Sequence, residues 1–261
     1  MAGNRVPRTS AGRVAIRSAR EVELIRASCR IVAEVLERAR EWVKPGVSTL
    51  ELDRLAEELM RARGGEPSFK GYLGYPASIC VAINEQVVHG IPSDRRLEDG
   101  DIVGFDVGVV KNGYHGDAAR TFAVGQVTPE VQRLMEVGAE SLRRGIAQAR
   151  PGNYIGDIGH AVQTWAEGAG FSVVRDLVGH GIGQRLHEEP QVPNYGRSGT
   201  GLPIAAGMVL AIEPMVNMGD WRVVTLSDQW TVVTADRSLS VHFENTVAIT
   251  EDGPEVLTET S

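Results

Sequence analysis

The chain has no apolar run near the roughly 20 residues that a membrane-crossing helix needs. Its first twenty residues carry five arginines, no acid and none of the apolar core of a secretory leader. Cysteine is scarce as well: Cys29 and Cys80 are too few for a disulfide framework or a Cys-based zinc ribbon. These absences predict a reduced, cytoplasmic protein with no membrane partner. Positive charge is short overall. A net charge of −7 excludes a broad phosphate-binding face, because such faces are dense in Lys and Arg. The one basic stretch is the terminus, with Arg5, Arg8, Arg13, Arg17 and Arg20. It reads either as a contact for ribosomal RNA or as a frayed, solvated end. Residues 1–17 are accordingly expected to form a flexible basic tail ahead of a single domain over 18–255. What remains is ordinary for a globular protein: 42% hydrophobic and 23% charged residues, in a chain long enough to bury a core.

Helix signals come first. Ser18 and Glu21 form a capping-box pattern, followed at helical spacing by Val22, Ile25, Cys29, Val32 and Leu36, until Pro45-Gly46. Ser48 and Glu51 repeat the pattern ahead of Leu52, Leu55, Ala56 and Leu59. Strands are predicted over 79–83 and 102–110, then a tight turn at Asn112-Gly113 and a strand over 118–124. A second helical pair starts at Thr128-Pro129, breaks at Pro151-Gly152, and continues through Ile155, Ile158, Val162 and Trp165. Strands are expected to fill most of 171–250. Helices, strands, helices, strands is the order of a duplication. Pro45-Gly46 recurs as Pro151-Gly152, and His89-Gly-Ile-Pro92 is answered by His187-Glu-Glu-Pro190. Gly100 stands six residues before Asp106, as Gly207 stands six before Glu213. Two related halves, about 18–125 and 126–255, would bring matching acids to one central place.

Those acids are unusual. Asp106 lies in an apolar strand, where an unpaired carboxylate is costly. A two-residue turn at Asn112-Gly113 sets 106 opposite 119 and 108 opposite 117, so Asp106 and Asp117 share one face as diagonal neighbours. Glu213 and Glu244 sit in apolar strands of the other half. Any one of them alone reads as a strand-end carboxylate facing water. Four together repel unless protons or cations lie between them, and the lysines and arginines are elsewhere. His180, in Gly-His-Gly-Ile-Gly, adds an imidazole among small residues. One imidazole with four carboxylates is a hard, oxygen-rich set that suits a bridged pair of Mn, Fe(II), Co or Zn ions better than structural zinc.

In their settings Phe-Asp-Val-Gly, His-Gly-Asp, Gly-His-Gly-Ile-Gly, Ile-Glu-Pro-Met and Phe-Glu-Asn-Thr, the five residues Asp106, Asp117, His180, Glu213 and Glu244 resemble the metal ligands of the methionine aminopeptidases, type I. The resemblance runs from about Ser18 to Thr250. It implies an α+β pita-bread fold, an α/β sandwich of two pseudo-symmetric halves with antiparallel sheet and a central dinuclear metal site. It also implies removal of the N-terminal methionine from nascent polypeptides whose second residue is small. Asp106 would chelate one ion, His180 and Glu213 the other, with Asp117 and Glu244 bridging. Glu213 would shuttle the proton, and His89 and His187 would bond the scissile amide and the oxyanion; their rival reading is as buried structural histidines. Tyr72, Tyr75, Cys80 and Trp230 match the methionine pocket, although Cys80 also reads as plain strand core. Leu186 departs from the aromatic residue of many members, which implies a slightly wider pocket. Asn84 and Ser240 match positions that help relatives hold a monovalent cation, Na or K. His115 and His242 share the strand face of a ligand, so they read either as neighbours of the site or as packing; His160 carries no signal. Relatives imply a monomer.

Three rivals are weighed against this. Proline dipeptidase and aminopeptidase P share the fold but usually carry a further N-terminal domain, for which this length leaves no room. Type II methionine aminopeptidases hold a long helical insertion between the last two glutamates, which Glu213 and Glu244 are too close in sequence to contain. A non-catalytic binding protein on the same scaffold would have lost ligands, whereas all five stand here.

Overall fold

The computed structural model describes residues 14–259. Within the expected tail over 1–17, residues 14–17 are held to the domain. Residues 1–13, with Arg5, Arg8 and Arg13, lie outside the described residues, but Val14 is buried in the core of the second half. Arg17 donates its backbone N–H to the Gly207 carbonyl at 2.7 Å, and its guanidinium pairs with the buried Glu188 carboxylate. The partner that ties these residues down is 171 positions away, so local composition gave no sign of it.

Each half opens with two helices. Helix α1 (Ala19–Trp42) has the capping box at Ser18 and Glu21, and buries Ile25, Cys29, Val32 and Leu36 on one face. Helix α2 (Thr49–Ala62) is capped by Ser48 and buries Leu52, Ala56 and Met60. In the second half α3 (Pro129–Gln148) is capped by Thr128 with proline at its first position, and α4 (Ile155–Gly168) follows. All strand pairing is antiparallel. The first half is built on the hairpin of Ile102–Lys111 and Tyr114–Ala123, with Cys80–Ile83 and Glu66–Pro67 along its other edge. Helix α1 lies so close to the hairpin that a Cβ on Gly116 would come within 2.8 Å of the Cys29 backbone nitrogen. The second half has a five-stranded sheet, in order Gly253–Val256, Asn245–Thr250, Val209–Ile212, Gly179–Gly181 and Glu188–Val192. A smaller sheet joins the halves, pairing Gln86–Val88 of the first with Val232–Thr234 of the second.

Strands do not fill most of 171–250. They are short, and residues 193–208 cross without one. Pro193, Pro203 and glycines at positive φ (Gly196, Gly199, Gly201) break that stretch, because proline cannot donate to a ladder and these backbone angles leave it. The apolar core is correspondingly divided. One cluster lies under each pair of helices, and a third joins Ile25, Tyr75 and Cys80 to Ile182, Leu186, Val209 and Ala248 across the halves.

The seam between the halves has an unusual construction. Ala119 and Glu244 exchange backbone hydrogen bonds, at 2.9 and 3.4 Å. On either side of that pair the main chains no longer bond directly, and a threonine hydroxyl fills each gap. Thr246 Oγ1 accepts from the Asp117 N–H at 3.0 Å and donates to its carbonyl at 2.7 Å. Thr121 Oγ1 does the same for His242, at 3.0 and 2.9 Å. Two of the residues so held, Asp117 and Glu244, are the acids of interest. Replacing Thr246 with valine keeps the shape but leaves a buried N–H and C=O of Asp117 without partners, a loss on the order of 2–4 kcal/mol. Urea unfolding of Thr246→Val should show that loss, while Thr246→Ser, which keeps the hydroxyl, should stay near wild type.

Candidate functional site

The register of the hairpin places the first two acids. Asp106 pairs with Ala119 and Gly108 with Asp117, so both carboxylates leave the same face. Cys80 pairs with Asp106 and therefore joins that face. In the second half His180 pairs with Ala211, and the period of two carries its face on to Glu213. Asn245 pairs with Ile212, which sets Glu244 and Glu213 across from each other where that ladder ends. Four acids, Asp106 and Asp117 within strands and Glu213 and Glu244 at strand ends, thus converge where the halves meet.

They meet in one cavity of about 180 Å³. Its walls include Asp106, Asp117, His180, Glu213 and Glu244, together with His89 and His187 and the side chains of Tyr72, Tyr75, Cys80, Leu186 and Trp230. Ligand atoms of Asp117, His180 and Glu244 all lie within 4.8 Å of one another. His180 Nε2 is 3.5 Å from Glu213 Oε1. Its other nitrogen, Nδ1, bonds the Gly181 carbonyl at 2.9 Å, which leaves Nε2 turned to the acids. Asp106 Oδ1, Asp117 Oδ1 and Glu244 Oε1 are inaccessible to solvent and have no hydrogen-bond partner.

Burial dominates the electrostatics. It raises the Asp106 carboxyl to about 7 and the Glu213 carboxyl to about 8. Asp117 and Glu244 are pushed well above the usual carboxylate range, first by burial and then by repulsion from the other acids. The imidazoles move the opposite way: burial lowers His180 to about 3 and His89 to about 4, so both are neutral bases. Acids that resist ionising, beside an imidazole that resists protonation, are the kind of donor set a cation would bind. Unpartnered buried oxygens beside the neutral His180 imidazole, with no lysine or arginine on the cavity wall among the described residues, fit divalent metal ions.

Around the acids the wall is specific. His89 takes a left-handed φ of 58°, where a non-glycine residue is strained. A Cβ on the next residue, Gly90, would lie 2.1 Å from the Val81 carbonyl oxygen, so only glycine lets this turn approach the sheet. Tyr75 is buried, with its hydroxyl donating to the Gly90 and Ile79 carbonyls and its ring edge-on to Trp230 at 5.0 Å. Cys80 is both strand core and cavity wall. Leu186 is buried and closes the pocket beside His187.

Asn84 and Ser240 are brought together, Ser240 N–H donating to the Asn84 carbonyl at 2.9 Å, but away from this cavity. Their side chains are already partnered, Asn84 with Asp101 and Ser240 with Asn217. His242 is buried, its Nε2 3.6 Å from Glu213 Oε2. His115 is turned aside to the Ser68 hydroxyl at 2.8 Å. Two wall residues carried no sequence signal. Phe69 enters because Gly108 opposite it has no side chain: a Cβ there would lie 2.5 Å from its ring. Leu73 stands at the mouth, 81% exposed and at a left-handed φ of 48°.

The profile of metallopeptidase family M24 matches residues 23–251. A methionine aminopeptidase of Clostridium perfringens is 53% identical over 245 residues, which span 94% of this chain and 98% of the relative. The crystal structure of a methionine aminopeptidase from Rickettsia prowazekii matches with a TM-score of 0.93 at 42% identity, covering 94% of this chain and 99% of that one. A prolidase from Pyrococcus furiosus matches less well, with a TM-score of 0.76 at 27% identity; the match covers 94% of this chain but 66% of the prolidase.

Carboxyls raised above their unfolded values stabilise the metal-free fold at low pH and lose that contribution as pH rises through the folded values. Lowered histidines act the other way, an effect that fades as pH rises past their unfolded value of 6.5. Between pH 6.5 and about 8 the acids therefore dominate. Metal-stripped protein should melt at progressively lower temperature across that window. Adding Mn(II) should raise the melting temperature and flatten its fall, as calorimetry would show.

Proposed function

Because the chain belongs to metallopeptidase family M24 and stands among its methionine aminopeptidases, we propose that it removes the N-terminal methionine from nascent polypeptides whose second residue is small. The observation that carries this reading is the one cavity in which five ligand-type side chains and two further histidines meet an apolar pocket. The proposed centre would hold two divalent ions of Co, Mn, Fe(II) or Zn type. Asp106 would help hold one ion, His180 and Glu213 the other, and Asp117 and Glu244 would serve both. When bound, such ions supply Lewis acidity and lower the pKa of water toward neutrality.

The rest is work for the chain's own residues. Tyr75, Cys80, Leu186 and Trp230, with the ring of Tyr72, enclose the methionine side chain and exclude water. Glu213 accepts the proton of the attacking water and delivers it to the leaving amine. His89 bonds the scissile amide, and His187 the oxygen on which charge develops.

The proposed setting is a single chain in the cytoplasm; both cysteines are free and buried, which suits a reducing compartment. Among the described residues no helix is long and apolar enough to cross a membrane. For a ribosomal contact by the basic end, Arg20 is exposed, whereas Arg17 is engaged by Glu188. The Asn84–Ser240 pair is the proposed place for Na or K.

The test is hydrolysis of Met-Ala-Ser and of Ala-Pro by stripped protein with Mn or Co restored. Metal-dependent methionine release with Ala-Pro untouched is expected. Glu213→Gln, with its bound metal measured in parallel, should lower kcat by about 10²–10⁴-fold. Cleavage of Ala-Pro in preference would make this a proline peptidase. Stoichiometric metal without hydrolysis of either peptide would leave a binding protein.

A further inference from the structure

Tyr72 has a second side to it that a pocket wall does not need. Its hydroxyl lies 2.8 Å from Nδ1 of His187, and the two rings are tilted by 41° with their centroids 5.2 Å apart. Among the described residues this hydroxyl is the only hydrogen-bond partner of the His187 ring. On its other side the ring meets His180, centroid to centroid at 4.3 Å. His187 itself is exposed, so packing alone does not fix it.

Tyr72, by contrast, is fixed. It begins a tight turn, Tyr72–Gly74, in which Gly71 and Gly74 take φ of 86° and 90°. Tyr72 N–H donates to the Phe69 carbonyl, and Gly71 N–H to that of Tyr75 at 2.8 Å. Glu57 of α2 ties both flanks of the turn, accepting from Lys70 Nζ at 2.8 Å and from the Ser78 hydroxyl at 2.7 Å. A well-anchored hydroxyl against a loosely held imidazole is the geometry of an orienting contact.

A neutral imidazole has one donor and one acceptor nitrogen. If Nε2 is to donate to a developing oxyanion, Nδ1 must accept, and the group facing it must donate. Resting on the reading of His187 as the oxyanion donor, we propose that Tyr72 is a positioning residue: its hydroxyl donates to Nδ1 and holds His187 as the Nε2–H tautomer, turned to the scissile carbonyl. The ring of Tyr72 serves the methionine pocket, and its oxygen serves the histidine.

Phenylalanine separates the two roles, because it keeps the wall and removes the donor. In zinc-loaded enzyme labelled with ¹⁵N-histidine, wild-type His187 should show a protonated Nε2 and a bare Nδ1. Tyr72→Phe should shift that ring toward the other tautomer. Its kcat on Met-Ala-Ser should fall about tenfold, the worth of one hydrogen bond, with KM within twofold. Tyr72→Leu, which shortens the wall, should raise KM as well. A wild-type Nδ1–H tautomer would overturn the proposal. So would a Tyr72→Phe enzyme with unchanged kcat when His187→Ala is crippled, an outcome that leaves the role of His187 standing. If His187→Ala retains full kcat, the reading of His187 fails first and the proposal with it.

Discussion

Like charge held out of water is the constraint to which the rest of this molecule answers. Asp106, Asp117, Glu213 and Glu244 face one space without a lysine or arginine on its wall. The guanidinium of Arg120 donates to the Ala119 and Glu244 carbonyls and to Asn245 Oδ1, so it braces the main chain behind Glu244. An apolar core would shed such a cluster unless something made it worth retaining. Divalent cations supply what is missing, and the protein's contribution is to hold four strands rigidly enough that the repulsion cannot relax by moving them apart.

That rigidity comes from the seam. Threonine hydroxyls bridge strands whose main chains have drifted beyond direct bonding, so the halves meet at a fixed offset without forming a continuous sheet. A continuous ladder would have paired the two strands flat and closed the space that the acids share. Direct contact at Ala119 and Glu244, with a hydroxyl on each side, lets the surfaces splay while the backbone groups of Asp117 and His242 stay partnered.

Much of this was legible in the sequence, and for stated reasons. The Asn112-Gly113 turn has one favoured geometry, which fixes the register and with it the shared face of Asp106 and Asp117. The capping residues Ser18, Ser48 and Thr128 mark helix starts through local hydrogen bonds, and local chemistry is visible in a row of letters. What was not legible depends on distant partners. Arg17 finds Glu188, and Gln86–Val88 pairs with Val232–Thr234, although neither three-residue run has a readable period. Phe69 reaches the cavity only because Gly108 is bare. The resemblance gave Tyr72 as pocket wall; its bond to His187 joins residues 115 positions apart, which no periodicity reports.

The ligands also lie far apart along the chain, and that has a bearing on how the protein is made. Asp106 is synthesised first and Glu244 last, with Asp117, His180 and Glu213 between. A ribosome that has completed only the first half has made two acids of the centre and neither the imidazole nor the remaining two carboxylates. Half a site holds divalent ions weakly, and it lacks the opposing strands that the threonine bridges need. Hydrolytic power should therefore arise late and abruptly during translation, so that a stalled or truncated product of this gene cannot act on its neighbours.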